Sequence, residues 1–267
     1  MSREQVLSNC VGTTELDQLG LKPLAEWVVV TLKGRPGLYI LPNLLRDDAV
    51  EMWLRRMFVY AEPPNITNLT AHGINFKRDL LKEAGKSLRW ATLGVPYDWE
   101  TKKYPLSGDR LPKELVITKV LSLGTMYADA AIVNYYPPKS TLSPHVDRYA
   151  SFKFQTSRKN LVLFYSQLFS SQYLWLRSER TDAPLISLSL GQSAVYLSGG
   201  VSLDDDIVPL WLRSGDVLVM HGTQRFVYHA IAAICSDRRF TMEDPELGQF
   251  INSSRVNITI RQVNCTQ

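Results

Sequence analysis

Arg255-Val256-Asn257-Ile258-Thr259-Ile260-Arg261 is the stretch on which the fold turns. Side chains of an extended chain alternate between faces, so Arg255, Asn257 and Arg261, at even separations, point the same way. Two arginines and an amide on an inward face would be costly against an apolar core, and such a face is expected to meet an anion. Paired arginines suit a dicarboxylate. The other reading of the stretch is a solvent-exposed edge strand.

Working outward, the same strand character fills the second half of the chain. Short apolar or alternating runs recur between Gly, Pro, Asn and Asp turns at Ala131 to Tyr135, Ile186 to Leu190, Ala194 to Leu197, Val217 to Met220, Phe226 to Ile231 and Val256 to Val263. That spacing describes a sandwich or jelly roll. Upstream, the pattern predicts a weak helical start, strands at Trp27 to Leu32 and Leu38 to Leu41, and an amphipathic helix over Leu44 to Tyr60 that buries Val50, Trp53, Leu54, Met57 and Phe58. Pro63 to about Trp90 and Asp98 to Pro112 read as loops, and Pro112 to Leu123 as a helix. The expected organisation is an N-terminal extension at 1–125 packed on a catalytic core at 126–267. No internal repeat or low-complexity tract interrupts it.

His145-Val146-Asp147 supplies a possible metal pair, because in an extended segment i and i+2 face one side. The tripeptide alone is weak, since a surface His and Asp after the Ser143-Pro144 turn would look the same. A third ligand must come from elsewhere, and the chain has four histidines. His229 ends the run Phe226-Val227-Tyr228 at the start of a possible strand, His221 sits beside Gly222 in a turn, and His72 lies in the loop-rich half; His229 is the preferred ligand. Two histidines and one carboxylate are the ligand set of a non-haem ferrous site with open positions.

At 267 residues with 45% hydrophobic residues, a sizeable core is attainable. The net charge of +4 is mildly basic and says little about nucleic acid. Three distant cysteines, Cys10, Cys235 and Cys265, suggest neither a disulfide framework nor a thiolate zinc site. No apolar run approaches the roughly 20 residues needed to span a bilayer, and the start carries neither a secretory core nor an Arg-rich presequence. Nucleus, cytoplasm or mitochondrion are the compartments expected.

With these residues in hand, the chain resembles the AlkB family of iron- and 2-oxoglutarate-dependent dioxygenases, above all the animal AlkB homologue one group. The blocks that carry the likeness are Arg35-Pro36-Gly37, Arg89 to Gly94, Asn134-Tyr135-Tyr136, His145 to Arg148, Ile186 to Gly191, Ser214 to Met220 and Arg255 to Gln262, in family order. The resemblance implies a mainly β fold with supporting α-helices around a double-stranded β-helix, or jelly roll. It implies Fe(2+) held by His145, Asp147 and His229, and 2-oxoglutarate paired with Arg255, hydrogen-bonded by Asn134, Tyr136 and Asn257, with Arg261 near its metal-binding end. With O2, such an enzyme removes N-methyl groups from DNA or tRNA bases in DNA repair or tRNA modification, releasing formaldehyde, succinate and CO2. A histone substrate is a further possibility within the group, and a monomer is expected.

A base inside a duplex cannot reach such a site, so the substrate should be flipped or single-stranded. Trp90, Tyr97, Trp99 and Tyr104, interleaved with Arg89, Lys102 and Lys103, are candidates for stacking and phosphate contact, and Arg148 is a further substrate candidate. Core packing is the bland alternative for each aromatic.

One departure from the family stands out: an apolar insert at about 149–177, with Leu161 to Tyr165 and Tyr173 to Leu176. It reads either as a lid or hairpin at the site's mouth, or as an accidental insertion such as a translated intron, which its β-prone apolar segments favour. Disruption of the site would leave a catalytically silent nucleic-acid-binding protein. A protein hydroxylase on the same core is another alternative, and a zinc hydrolase would leave the arginine face without a purpose.

Overall fold

The computed structural model describes residues 13–74, 80–98, 104–105, 107–116, 126–147 and 183–263. Trp99, Arg148, the insert, and the expected helix beyond Val116 lie outside them.

Twelve strands are described: β1 (Val30–Thr31), β2 (Leu38–Leu41), β3 (Ile66–Thr67), β4 (Trp90–Gly94), β5 (Ala130–Tyr136), β6 (Leu142–His145), β7 (Leu185–Gly191), β8 (Ser193–Ser198), β9 (Val208–Leu212), β10 (Val217–Met220), β11 (His229–Cys235) and β12 (Arg255–Arg261). They form an eight-stranded sheet in the order β1-β2-β10-β7-β12-β5-β4-β3 and a four-stranded sheet in the order β6-β11-β8-β9. Every described pairing is antiparallel. Strands from residues 30–94 and from 130–261 share the larger sheet.

β12 sits in the middle of that sheet, between β5 and β7, and all seven of its residues are buried. It is therefore not an edge strand. Val256, Ile258 and Ile260 join one apolar core with Trp53, Leu54, Met57 and Phe58 of the helix Val50–Val59, and with Ile251 of the helix Pro245–Ile251. A second apolar layer lies between the sheets and includes Ile40, Leu185, Tyr196, Leu218 and Ile231. The alternation thus separates a face packed on helices from a face turned into the sandwich.

The helix buries the five positions that its spacing predicts, yet it starts at Val50 and not at Leu44. Leu44 and Leu45 instead donate their amides to the Gly215 carbonyl, and Leu21 bridges Leu45, which holds this segment extended. Fully buried Trp53 donates its indole N–H to the Leu19 carbonyl at 2.8 Å, fixing the helix against the N-terminal segment.

Other expectations shift. The stretch at 63–90, read as loop, contains β3 and the short helix Leu80–Ala84, whose Leu80 and Ala84 enter the main core. The strand expected at Trp27 to Leu32 shrinks to β1. The strand expected from Phe226 begins at His229, because Gly222–Phe226 is a 3-10 turn. β9 and the helix Pro245–Ile251 were not foreseen. Pro209 disguises β9, but the strand lies at a sheet edge, where a missing amide is tolerated.

Gly191 marks the passage from β7 in one sheet to β8 in the other. Its φ is +81°, and a Cβ there would meet Ile251 Cδ1 at 2.2 Å and the Ser254 carbonyl oxygen at 2.7 Å. Glycine alone fits that corner.

Candidate metal and co-substrate site

Between the sheets lies a cavity of about 540 Å³, and its walls follow from strand parity. β12 presents Arg255, Asn257, Thr259 and Arg261; β5 presents Ile132, Asn134 and Tyr136; the smaller sheet presents His145, Tyr196 and His229. The structure therefore brings together eight of the residues singled out as metal or co-substrate contacts: His145, Asp147, His229, Asn134, Tyr136, Arg255, Asn257 and Arg261.

His145 closes β6, His229 opens β11, and the two residues are register partners in the ladder. Asp147 lies just past the end of β6, so a bend, not strand alternation, carries it to the same side. Ligand atoms of all three residues lie within 4.8 Å of one another. The Nε2 atoms of His145 and His229 are each 3.7 Å from an Asp147 carboxylate oxygen, one from Oδ1 and the other from Oδ2. His145 Nδ1 meets the Ser143 carbonyl at 2.8 Å, and His229 Nδ1 meets the Val227 carbonyl at 3.3 Å. A carbonyl can only accept, so Nδ1 carries the proton in each ring and Nε2 offers its lone pair to the centre.

Electrostatics agree with a cation site. Burial, followed by the neighbouring His229, pulls His145 below its ordinary value and favours the neutral, ligating form. Burial alone would push the Asp147 carboxyl up; Arg261, His229 and His145 outweigh it and hold the group well below the usual carboxylate range. Arg261 Nη2 is 3.6 Å from Asp147 Oδ2.

Arg255 is 1% exposed, and its Nη2 donates to Ser189 Oγ at 3.0 Å while its guanidinium lies 5.1 Å from the Tyr136 ring centroid. Its Nε and Nη1 have no hydrogen-bond partner among the described residues. Burial lowers this guanidinium from its ordinary value. A buried cation with two unused donors is costly by itself and fits a carboxylate ligand.

Asn257 behaves differently from a free ligand contact. Its Nδ2 donates to Ser187 Oγ at 2.6 Å and to the Leu188 carbonyl at 2.9 Å, and its Oδ1 accepts from Thr259 at 3.1 Å. It lines the cavity while bracing β12 to β7. Ser187, Ser189, Thr259 and Tyr196 are additional site residues that sequence reasoning left unassigned. Ser187 and Ser189 alternate with Ile186, Leu188 and Leu190, a pattern that could have revealed a polar inward face.

Of the substrate candidates, Tyr97 lines the cavity and pairs with Tyr104 at a ring distance of 5.3 Å. Burial, with Tyr104 next, pushes the Tyr97 hydroxyl up to about 12. Trp90 faces Asn134 across the β4–β5 ladder, one strand out from the cavity walls. His72 and His221 are exposed and lie outside the cluster of three ligands.

The chemistry of this donor set agrees with the comparisons. The sequence pattern of the 2OG-Fe(II) oxygenase superfamily matches residues 37–261. The tRNA demethylase abh1 of Schizosaccharomyces pombe is 30% identical over 96% of this chain and 89% of its own length. Nucleic acid dioxygenase ALKBH1 of Homo sapiens is 27% identical over 99% of this chain and 74% of its own. The solved structure of OsALKBH1, at 19% identity, shares the fold with a TM-score of 0.55 over 88% of this chain and 100% of that one. A His/Asp/His cluster, a buried guanidinium in the same cavity and these likenesses lead to one conclusion: the chain belongs to the 2OG-Fe(II) oxygenase superfamily, in its AlkB-like branch, and is an iron- and 2-oxoglutarate-dependent dioxygenase.

Proposed function

We propose that this enzyme oxidatively demethylates nucleic-acid bases, methylated adenine or cytosine in DNA or tRNA. The observation that carries the reading is the presence, in one cavity, of the His145, Asp147 and His229 cluster and of Arg255, whose Nε and Nη1 have no hydrogen-bond partner among the described residues. The substrate class is supported by the names of the relatives, a tRNA demethylase and a nucleic acid dioxygenase.

Bound iron, with 2-oxoglutarate and O2, supplies oxidation of an N-methyl carbon, and the products are formaldehyde, succinate, CO2 and the unmodified base. His145, Asp147 and His229 would hold the metal, the two-histidine, one-carboxylate set that suits ferrous iron. Arg255 receives the distal carboxylate of 2-oxoglutarate, with Tyr136 packed against the guanidinium and Ser189 fixing its orientation. Asn134 and Tyr136 offer hydrogen bonds to the co-substrate, Asn257 keeps the β12 wall in register, and Arg261 holds Asp147 ionised. Tyr97 offers a ring face to a base turned out of its stack.

The test is aerobic turnover of the full chain with Fe(II), 2-oxoglutarate and methylated DNA or tRNA oligonucleotides, reading formaldehyde and loss of the methyl mark. Release that depends on both the methyl group and His229 supports the reading. 2-Oxoglutarate turnover driven by a methylated histone peptide and by no nucleic acid contradicts the substrate class, and nucleic-acid binding without any turnover supports a catalytically silent binding protein.

A further inference from the structure

Arg225 lies on the 3-10 turn Gly222–Phe226, just before His229, and is 5% exposed. Its Nη1 donates to the Ala183 carbonyl at 2.9 Å and its Nη2 to the Asp147 carbonyl at 3.5 Å. Those two acceptors are the described residues that flank 148–182. One planar guanidinium therefore grips the chain where it leaves the metal cluster and where it returns to β7.

The grip matters because Asp147 is the one ligand outside a strand. His145 and His229 are register partners in the β6–β11 ladder, whereas the Asp147 backbone lies beyond it. Arg261 approaches the Asp147 carboxylate from β12, and Arg225 holds the carbonyl of the same residue from the turn that leads into His229. The contacts of the carboxylate with Arg261, His145 and His229 act on the side chain and do not by themselves fix the Asp147 backbone.

We infer that Arg225 is a positioning residue for the metal cluster: by joining the Asp147 and Ala183 carbonyls it fixes the backbone from which the Asp147 carboxylate reaches the ion, whatever chain intervenes. A guanidinium serves because two donors in one rigid plane reach two acceptors at once; an ammonium lacks that fork. The inference rests on the reading of Asp147 as a metal ligand.

The test uses the full chain and Mn(II), which binds in place of Fe(II) without turnover. Mn(II) affinity in the presence of 2-oxoglutarate is measured for the parent, Arg225→Gln and Arg225→Lys, with the apo thermal midpoint of each and the visible charge-transfer band of the anaerobic Fe(II) complex. Groups that orient a metal ligand weaken binding about tenfold or more when removed. Arg225→Gln is expected to show that loss and a shifted band, and Arg225→Lys a partial recovery of affinity. A packing role would lower the thermal midpoint but leave affinity and band of the folded protein unchanged. Should Arg225→Gln fail to fold, Arg225→Lys is read against the parent, with weaker Mn(II) binding expected. Affinity equal to the parent's in a folded variant overturns the inference; no Mn(II) binding by the parent overturns the ligand reading beneath it.

Discussion

Arg255 shows how much one side chain can specify. It is buried, its ring contact is Tyr136, and two of its three nitrogens have no partner among the described residues. Hydrogen bonds to charged groups contribute about 1.5–3 kcal/mol, so Arg255→Lys should raise the KM for 2-oxoglutarate roughly 10- to 100-fold. Initial rates across a 2-oxoglutarate series check this, and an unchanged KM would place the co-substrate elsewhere. At this scale the sequence was informative where parity decides: Arg255, Asn257 and Arg261 do share a face, and that face lines the cavity. It was silent where register decides. That Asn257 spends its amide on Ser187 and Leu188 depends on β12 lying beside β7, a pairing between residues nearly seventy positions apart that no local pattern encodes. Asp147 does join His145 and His229, but it reaches the cluster past the end of β6 rather than by alternation along it.

Elements respond to changes at their ends and corners. Gly191→Ala puts a side chain at φ +81° and against the Ser254 carbonyl, so strain and overpacking together should cost roughly 2–4 kcal/mol. Urea unfolding of the variant measures it, and a loss below the noise would mean that the passage between sheets relaxes freely. The helix Pro245–Ile251 gives a second test. Asp244 accepts from the amides of Glu246 at 2.9 Å and Leu247 at 3.3 Å and is 3.1 Å from Arg55. Removing the cap with Asp244→Ala should cost about 1 kcal/mol at neutral pH. Burial would raise this carboxyl, but the Leu247 and Glu246 amides and Arg55 carry it below its ordinary value. A lowered folded value means that the stabilisation is complete above the unfolded value, about 3.9, and is lost as pH falls through the lower folded one. The gap in urea midpoint between parent and variant should therefore narrow below about pH 4 and stay constant above it. This helix escaped sequence reading because it is short, whereas Val50–Val59 announced itself through five apolar positions on one stripe. Even there, the helix start was misplaced, because tertiary hydrogen bonds to Gly215 hold Leu44 and Leu45 extended, and a 3-10 turn at Asp47–Ala49 leads into the helix.

At the scale of the whole molecule, the two sheets meet at the cluster: the smaller sheet supplies both histidines and the larger supplies both arginines. Binding metal and co-substrate at this seam should stabilise the fold as a unit. A ligand at 100 times its Kd adds about 2.7 kcal/mol, so Mn(II) with 2-oxoglutarate should raise the thermal midpoint on the order of 5–10 °C. The jelly-roll class was legible from recurring short strands and turn residues. The sheet order was not, because β6, β9 and the short strands near the N-terminus carry too few residues to declare their partners. The ligand cluster forms although 148–182 separates Asp147 from the start of β7, which bears directly on whether that stretch spoils the site. The decisive measurement is anaerobic titration of the full chain with Fe(II) and 2-oxoglutarate, following the visible metal-to-keto-acid charge-transfer band in the parent and in His229→Ala. The account predicts a saturable band in the parent that is lost in the variant; a folded parent with no band, or a band of equal strength in His229→Ala, would contradict it.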